Sequence, residues 1–169
     1  ISSVAVADGT EQWRRTFDFD VSAVTRPRAA MSTTVHVGDA DGRLLALSPL
    51  DGTVRWRHPV DADGRFRPTV QRTSESLFVS GAGLHCLDPV SGESRWSFEP
   101  AVDGTLDVHA STAVFAAGSG TLWALDPSSG AVRWAYSPGA RIDGFAAAGE
   151  VAIVASGGSV RALDGSAAP

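Results

Sequence analysis

The chain has 169 residues, 43% of them apolar and 20% charged, with a formal net charge of −5. This length suffices for one domain with a core, and the acidic balance argues against the basic face that binding to nucleic acid or an anionic membrane requires. The single cysteine, Cys86, excludes an internal disulfide and a four-cysteine zinc site. We therefore expect a folded globular domain with no nucleic-acid partner and no direct insertion into a membrane.

Four glycine–tryptophan pairs recur about every 40 residues, with each tryptophan four positions after its glycine. The pairs are Gly9 and Trp13, Gly52 and Trp56, Gly92 and Trp96, and Gly130 and Trp134. Such regular self-similarity is typical of repeat architectures. These eight residues are therefore predicted to be structural.

The last three pairs share the pattern L-[DS]-P-x-[DS]-G-x-x-R-W. The first Asp or Ser can accept a backbone N–H, proline supplies a φ of about −65°, and glycine can take the left-handed conformation. The pattern predicts a hairpin turn between two strands. In the first copy the loop contracts to Asp8-Gly9, which predicts a two-residue hairpin.

Period-two alternation of apolar residues around these turns predicts β-strands. In chain order the predicted strands are 35–37, 44–47, 54–56, 68–71, 77–79, 84–87, 94–98, 107–111, 114–116, 122–125, 132–136, 151–154 and 160–163. No window of 12 residues combines a helical period with caps. Four short antiparallel strands in each unit of about 40 residues are typical of a β-propeller blade.

The predicted fold class is all-β, a β-propeller of four-stranded antiparallel blades with about four blade equivalents. We expect one domain over 1–169, with a partial blade at 1–19, blades at 20–58, 59–98 and 99–136, and a partial blade at 137–169. Residues 3–9 and 159–165 occupy the same repeat position, which argues against a closed four-bladed ring. Two alternatives follow: a homodimer that completes an eight-bladed ring, or a fragment of a longer propeller. Unpaired strand edges would favour association.

The pattern at 124–134, echoed at 86–96 and 46–56, resembles the tryptophan-docking repeat of PQQ-like (pyrroloquinoline-quinone-like) β-propellers over nearly the whole chain. The resemblance implies seven or eight blades, tied together by the tryptophan and turn residues. The family contains quinoprotein alcohol dehydrogenases, the outer-membrane barrel-assembly scaffold lipoprotein and extracytoplasmic sensor domains of bacterial Ser/Thr kinases. It thus implies an extracytoplasmic domain of a bacterial protein.

The residues needed for catalysis in this family are missing. The dehydrogenases use a vicinal cysteine pair and a calcium site built from Glu, Asn and Asp, whereas this chain has one cysteine and no asparagine. The four histidines, His36, His58, His85 and His109, lack the close spacing of metal ligands. We predict no catalytic, cofactor-binding or metal-binding residues, and a non-enzymatic binding, scaffold or sensor module. The alternative is a fragment of a PQQ-dependent dehydrogenase.

Ligand recognition is expected in the segments that lead into each blade, because these differ most between repeats and loops commonly carry recognition. The resemblance implies that they approach the central channel. The candidates for binding a protein, peptide or small polar ligand are Arg26, Arg28, Arg67, Asp107, His109 and Asp143. The alternative is that these are ordinary solvated loop charges. A further row, Arg55, Arg95 and Arg133, is predicted to shield an exposed edge, with a partner-binding stripe as the alternative.

Overall fold

The computed structural model describes residues 1–18, 21–24, 34–39, 42–60, 69–102, 105–109, 113–118, 120–148 and 151–164. The regular structure of these residues is entirely β-strand, in five antiparallel sheets whose strands hydrogen-bond in chain order. The predicted all-β class is confirmed. The described residues contain no helix that could span a membrane.

Three sheets have four strands each, and they lie between a two-stranded first sheet and a three-stranded fifth sheet. The first sheet consists of β1 (Ser2–Val4) and β2 (Glu11–Arg14). The second consists of β3 (Val21–Val24), β4 (Val35–Asp39), β5 (Arg43–Leu47) and β6 (Val54–Pro59). The third consists of β7 (Val70–Arg72), β8 (Leu77–Ser80), β9 (Leu84–Leu87) and β10 (Ser94–Phe98). The fourth consists of β11 (Thr105–His109), β12 (Ala113–Gly118), β13 (Thr121–Leu125) and β14 (Val132–Tyr136), and the fifth of β15 (Ile142–Ala148), β16 (Val151–Ser156) and β17 (Ser159–Asp164).

The hydrophobic core lies between neighbouring sheets. Successive residues of a strand point to opposite faces, yet Leu44 and Leu45 on β5 are 0% and 1% exposed. The second sheet is therefore covered on both faces. Full burial of each such side chain stabilises the fold by about 1.5–3 kcal/mol. Stacking of the sheets thus supplies the burial that a lone sheet cannot achieve.

The turn predicted from the repeat is confirmed. Asp88 Oδ1 accepts the backbone N–H groups of Val90 and Ser91 at 2.8 and 2.9 Å. The glycine that closes this turn, Gly92, has a φ of 76°, in the left-handed region that glycine adopts without steric cost.

The prediction of a two-residue hairpin at Asp8-Gly9 is wrong. Ala5 N donates to Thr10 O at 2.8 Å and Gly9 N donates to Ala5 O at 2.9 Å. The corresponding bonds of the second turn join residues 48 with 53 and 52 with 48, so both loops have the same length. Asp8 Oδ1 accepts from Thr10 N, as Asp51 Oδ1 does from Thr53 N. Asp8 therefore supports the last part of a longer turn.

Candidate functional site

Trp13 and Trp96 each tie their own sheet to the turn of the next sheet. Trp13 Nε1 donates to the Pro49 carbonyl at 2.8 Å, and Trp96 Nε1 donates to the Pro127 carbonyl at 3.0 Å. A Cβ atom added to Gly130 would lie 2.6 Å from Trp96 Cε3. The glycine is thus required for close approach of the indole as well as for its positive φ, and the inter-sheet tie implied by the resemblance is confirmed.

The interface between the second and third sheets departs from this arrangement. Its tryptophan, Trp56, packs against Gly92, where an added Cβ would lie 2.5 Å from Trp56 Cδ2. The Pro89 carbonyl, however, accepts a hydrogen bond from the imidazole of His36. Among the described residues, Trp56 Nε1 has no hydrogen-bond partner. The imidazole of His36 thus interacts with a proline carbonyl equivalent to those that accept from Trp13 and Trp96.

His36 occupies the position held by Phe78 on β8 and Phe115 on β12. Its ring centroid lies 5.4 Å from that of Trp56, and Phe78 and Phe115 contact their own tryptophans at 5.9 Å. His36 is 1% exposed. Burial, followed by the nearby charge of Arg72, lowers the pKa of His36 to about 4. The imidazole is therefore neutral near pH 7.

Two further histidines, His58 and His85, pack together in the same interface. The rings of His58 on β6 and His85 on β9 meet edge to face, with centroids 5.9 Å apart. Burial lowers the pKa of His58, and burial followed by the charge of His58 lowers the pKa of His85. Backbone carbonyls of Gly92 and Val60 accept their hydrogen bonds. Proton uptake by these groups is thus disfavoured in the packed interface.

Two members of the arginine row pair with the first aspartate of their own turn. Arg95 Nη2 lies 2.7 Å from Asp88 Oδ2, and Arg133 Nη2 lies 2.8 Å from Asp126 Oδ2. Bonds from the N–H groups of Ser91 and Val90, and then from Arg95, lower the pKa of Asp88 to about 2. Each aspartate stands seven positions before its arginine, and this spacing could have predicted the ion pairs. The sequence analysis did not predict them.

Four of the six predicted ligand-binding side chains lie outside the part of the chain that the structure describes. Arg26, Arg28 and Arg67 lie outside the described residues. His109 ends β11, and its side chain is also outside the described part of the chain. Their role in binding stays a prediction.

The other two predicted residues lie on the first strands of the fourth and fifth sheets. Asp107 on β11 is half-buried, and its Oδ2 accepts the backbone N–H of Ala147 on β15 at 3.1 Å. Gln71, one sheet earlier, similarly donates from Nε2 to the Leu106 carbonyl at 3.1 Å. Asp107 thus links adjacent first strands. Asp143 is exposed and lies at an irregularity in the register of β15, a type of feature that commonly redirects a side chain.

A cleft of about 730 Å³ opens between the third and fourth sheets. One wall is the hairpin from Arg72 to Ser76, and the opposite wall is formed by Pro127 and Ser128 of the next turn. Sequence reasoning missed this cleft because its walls are more than 50 positions apart in the chain. None of the six residues predicted to bind a ligand lines it, although Arg95 belongs to the arginine row for which a partner-binding stripe was the alternative.

The described residues do not fit a PQQ–calcium site. No group of three or more His, Cys, Asp or Glu residues among them is placed to hold a metal ion. Cys86 has no second cysteine in the chain with which to form a vicinal pair, and its burial raises the pKa of its thiol. The side chain fills the small apolar position that alanine takes in other repeats.

The sequence profile of the family described as outer membrane protein assembly factor BamB matches residues 1–82 and 80–168. The chain belongs to this family. The predicted resemblance to PQQ-like propellers is thereby confirmed. Among proteins with curated descriptions, none matches this BamB-family chain in sequence.

Solved structures confirm the propeller fold. BamB from Moraxella catarrhalis has a TM-score of 0.74 and 20% identity, with 94% of this chain and 51% of that one covered. The computationally designed Ika8 protein has a TM-score of 0.77 and 15% identity, with 95% and 51% covered. The designed Ika4 protein has a TM-score of 0.73 and 15% identity, with 92% and 98% covered. The BamB-family chain thus spans about half the length of the first two structures.

Proposed function

We propose that this BamB-family chain is a non-enzymatic binding module that holds a protein partner during assembly. The observation that carries the proposal is the match of almost the whole chain to a family described as an outer membrane protein assembly factor. The stacked sheets provide a scaffold whose repeated positions are occupied by packing. Non-repeated polar positions are then available for recognition.

The chain is proposed to work outside the cytoplasm of a bacterium. The family description refers to the outer membrane, and the sequence resemblance points to extracytoplasmic scaffolds and sensors. This location would put the module beside the proteins whose assembly it assists.

The proposed contact surface is the set of segments that lead into each blade. Asp143 supports this choice because it is exposed at the beginning of β15. Arg26, Arg28 and Arg67 belong to the same class of segment by their repeat position. Mixed charge on this surface would favour a polar protein or peptide ligand.

Site-specific photocrosslinking tests the binding role. A photoreactive residue at position 143 is expected to give one discrete protein adduct in the native bacterium, identified by mass spectrometry. The same residue at Val6, which is fully exposed on the first turn, is the matched control. Reversing the charge of Arg26 and Arg67 together should remove the adduct at 143 without changing the melting temperature.

Two outcomes would contradict different parts of this proposal. An adduct at 143 that persists after every charge reversal at Arg26, Arg28 and Arg67 would overturn the assignment of the surface. The absence of any protein adduct along the blade-leading segments would overturn the binding role. Alcohol oxidation with an added dye, dependent on PQQ and calcium, would instead support the dehydrogenase alternative.

We also propose that two copies of the 169-residue chain associate through the faces of their terminal sheets. On the outer face of the fifth sheet, Ile153 and Val160 are 44% and 71% exposed. The equivalent residues of the fourth sheet, Phe115 and Leu122, are 2% and 0% exposed because the fifth sheet covers them. The outer face thus repeats a surface that is buried elsewhere in the fold. Val4 on the first sheet, which is 51% exposed, is proposed to lie on the opposing face.

Light scattering on a sizing column tests this association. A mass of about 35 kDa, twice the 17.5 kDa of one chain, is expected, and V160D should restore the monomer mass. V90D is the matched control because Val90 is similarly exposed, at 68%, but lies in a turn. A monomeric parent chain would overturn the proposal.

A further inference from the structure

The cleft between the third and fourth sheets lies at the opposite end of the sheets from the segments that lead into the blades. Strand β7 runs from Val70, just after such a segment, to Arg72 at the wall of the cleft. Its volume, about 730 Å³, is within the range of clefts that hold small ligands or short peptide ends. The cleft is therefore separate from the surface proposed above.

Two guanidinium groups line this cleft. Arg95 is held in place by Asp88 Oδ2 at 2.7 Å and by Ser76 Oγ at 3.1 Å. Arg72 Nη1 donates to Thr34 Oγ1 at 3.3 Å. Since a guanidinium has five N–H donors in a fixed plane, the two bonds to Arg95 orient it and leave donors for a ligand oxygen. The oriented guanidinium group of Arg95 therefore suits a planar anion.

An apolar surface lies beside these cations. Val108 on β11 and Pro127 are both half-buried and line the cleft, and Phe78, which is 1% exposed, lines it as well. A ligand with an apolar group could cover Val108 and the proline ring while its anionic end meets the guanidinium groups. Burial of apolar area and a charge-assisted hydrogen bond would then act together.

The charges at the rim select the kind of anion. Glu75 lines the same cleft, and Asp88 already neutralises part of the charge of Arg95. A phosphate group carries nearly two negative charges near pH 7, so it would be repelled by these carboxylates more strongly than a single carboxylate. The balance therefore favours an anion of charge minus one.

We propose that this cleft binds a carboxylate joined to an apolar group. The chemistry can come from the C-terminal residue of a peptide or from a free apolar carboxylic acid. The inference does not depend on the partner surface at Asp143.

Titrations followed by ¹H–¹⁵N NMR test this proposal with defined probes. Acetyl-Gly-Leu-Phe with a free carboxylate is expected to shift the signals of Ser76, Ser128 and the Arg95 side chain. The amidated peptide should shift none of them, and 3-phenylpropionate shows whether a free acid is sufficient. Inorganic phosphate is the control for a simple anion.

Two substitutions separate the guanidinium groups. R72Q leaves the ion pair of Arg95 intact and is expected to weaken binding of the peptide by about tenfold or more, as loss of a charge-assisted bond predicts. R95Q should have a similar effect. R55Q is the matched control because Arg55 holds the corresponding exposed position on the second sheet, away from the cleft.

S128E tests the site without altering either arginine. Ser128 is exposed at the rim, and a carboxylate there should repel the ligand and weaken binding while the melting temperature stays unchanged. The proposal is overturned if no carboxylate probe shifts the NMR signals of the cleft residues, or if phosphate binds as tightly as the peptide. It is also overturned if R72Q and R95Q both bind the peptide with the affinity of the parent chain. A crosslinked partner at position 143 with no response in the cleft would overturn this inference alone.

Discussion

Replacement of His36 by phenylalanine should remove an acid-sensitive element from the interface between the second and third sheets. The equivalent positions hold Phe78 and Phe115, so the aromatic ring fits the repeat. With the imidazole gone, Trp56 Nε1 can donate to the Pro89 carbonyl, as the indoles of Trp13 and Trp96 do to Pro49 and Pro127. We therefore expect H36F and the parent chain to differ by no more than about 1 kcal/mol in stability at pH 7.5.

The difference should grow as the pH falls. The pKa of His36 is about 4 in the folded chain and about 6.5 in the unfolded chain. Between these values the unfolded chain binds more protons, so the stability of the parent chain rises with pH. As the pH falls, the parent chain begins to lose stability below about pH 6.5, and this loss is complete below about pH 4. It amounts to about 2 kcal/mol at pH 5 and about 3.4 kcal/mol at the acid limit.

Urea unfolding followed by tryptophan fluorescence measures this effect. The free energy of unfolding is determined for both chains at pH 7.5 and pH 5.0, and the change between the two values is compared. His58 and His85 are present in both chains, so their contribution cancels in the difference. The reciprocal variant F78H should add an acid-sensitive group to the interface between the third and fourth sheets, where Phe78 packs against Trp96.

Parallel loss of stability in H36F and the parent chain between pH 7.5 and 5.0 would refute this reasoning. It would mean that His36 is not buried as a neutral group, or that another group dominates the response. Loss of stability in H36F at pH 7.5 by several kcal/mol would show instead that the His36–Pro89 bond cannot be replaced by the indole.

Two further predictions concern the turns. G9A should lower the free energy of unfolding by about 1–2 kcal/mol through the left-handed backbone alone, because nothing lies within 4 Å of its added Cβ. G130A should lower it clearly more, because its added Cβ would also meet the indole of Trp96. Equal losses for the two variants in urea unfolding would contradict the docking geometry. R133Q should raise the pKa of Asp126, measured by carboxyl ¹³C NMR, since the bond from Arg133 is the largest cause of its lowered value. The stability from this pair is present above about pH 3.9 and is lost as the pH falls through the lowered pKa, so an unchanged Asp126 titration in R133Q would refute the pairing.

Local rules account for the parts of the fold that could be read from the sequence. The turn at Asp88 and Gly92 follows from a carboxylate that accepts neighbouring N–H groups and a glycine with positive φ. The strands follow from period-two alternation. The prediction at Asp8-Gly9 was wrong because this dipeptide suits both a two-residue hairpin and the end of a longer turn. The backbone bonds that join Ala5 to Thr10 and Gly9 to Ala5 distinguish the two.

The candidate sites were harder to predict because they combine distant parts of the chain. Asp107 is a predicted ligand-binding residue, and its carboxylate also accepts the N–H of Ala147, 40 positions later, which no local pattern predicts. The cleft joins Arg72 and Arg95 of one sheet to Ser128 of the next. No local pattern records which side chains meet across such a gap.

Sequence patterns were enough to predict the repeat, the antiparallel strands and the left-handed conformation of the turn glycines, because these depend on neighbours within one turn or one strand. Tertiary structure alone decided which donor reaches the Pro89 carbonyl. His36 and Trp56 come from different strands, and both point at a turn more than 30 positions away in the chain. The choice between them rests on ring position and burial in a packed interface, which exist only once the sheets have stacked.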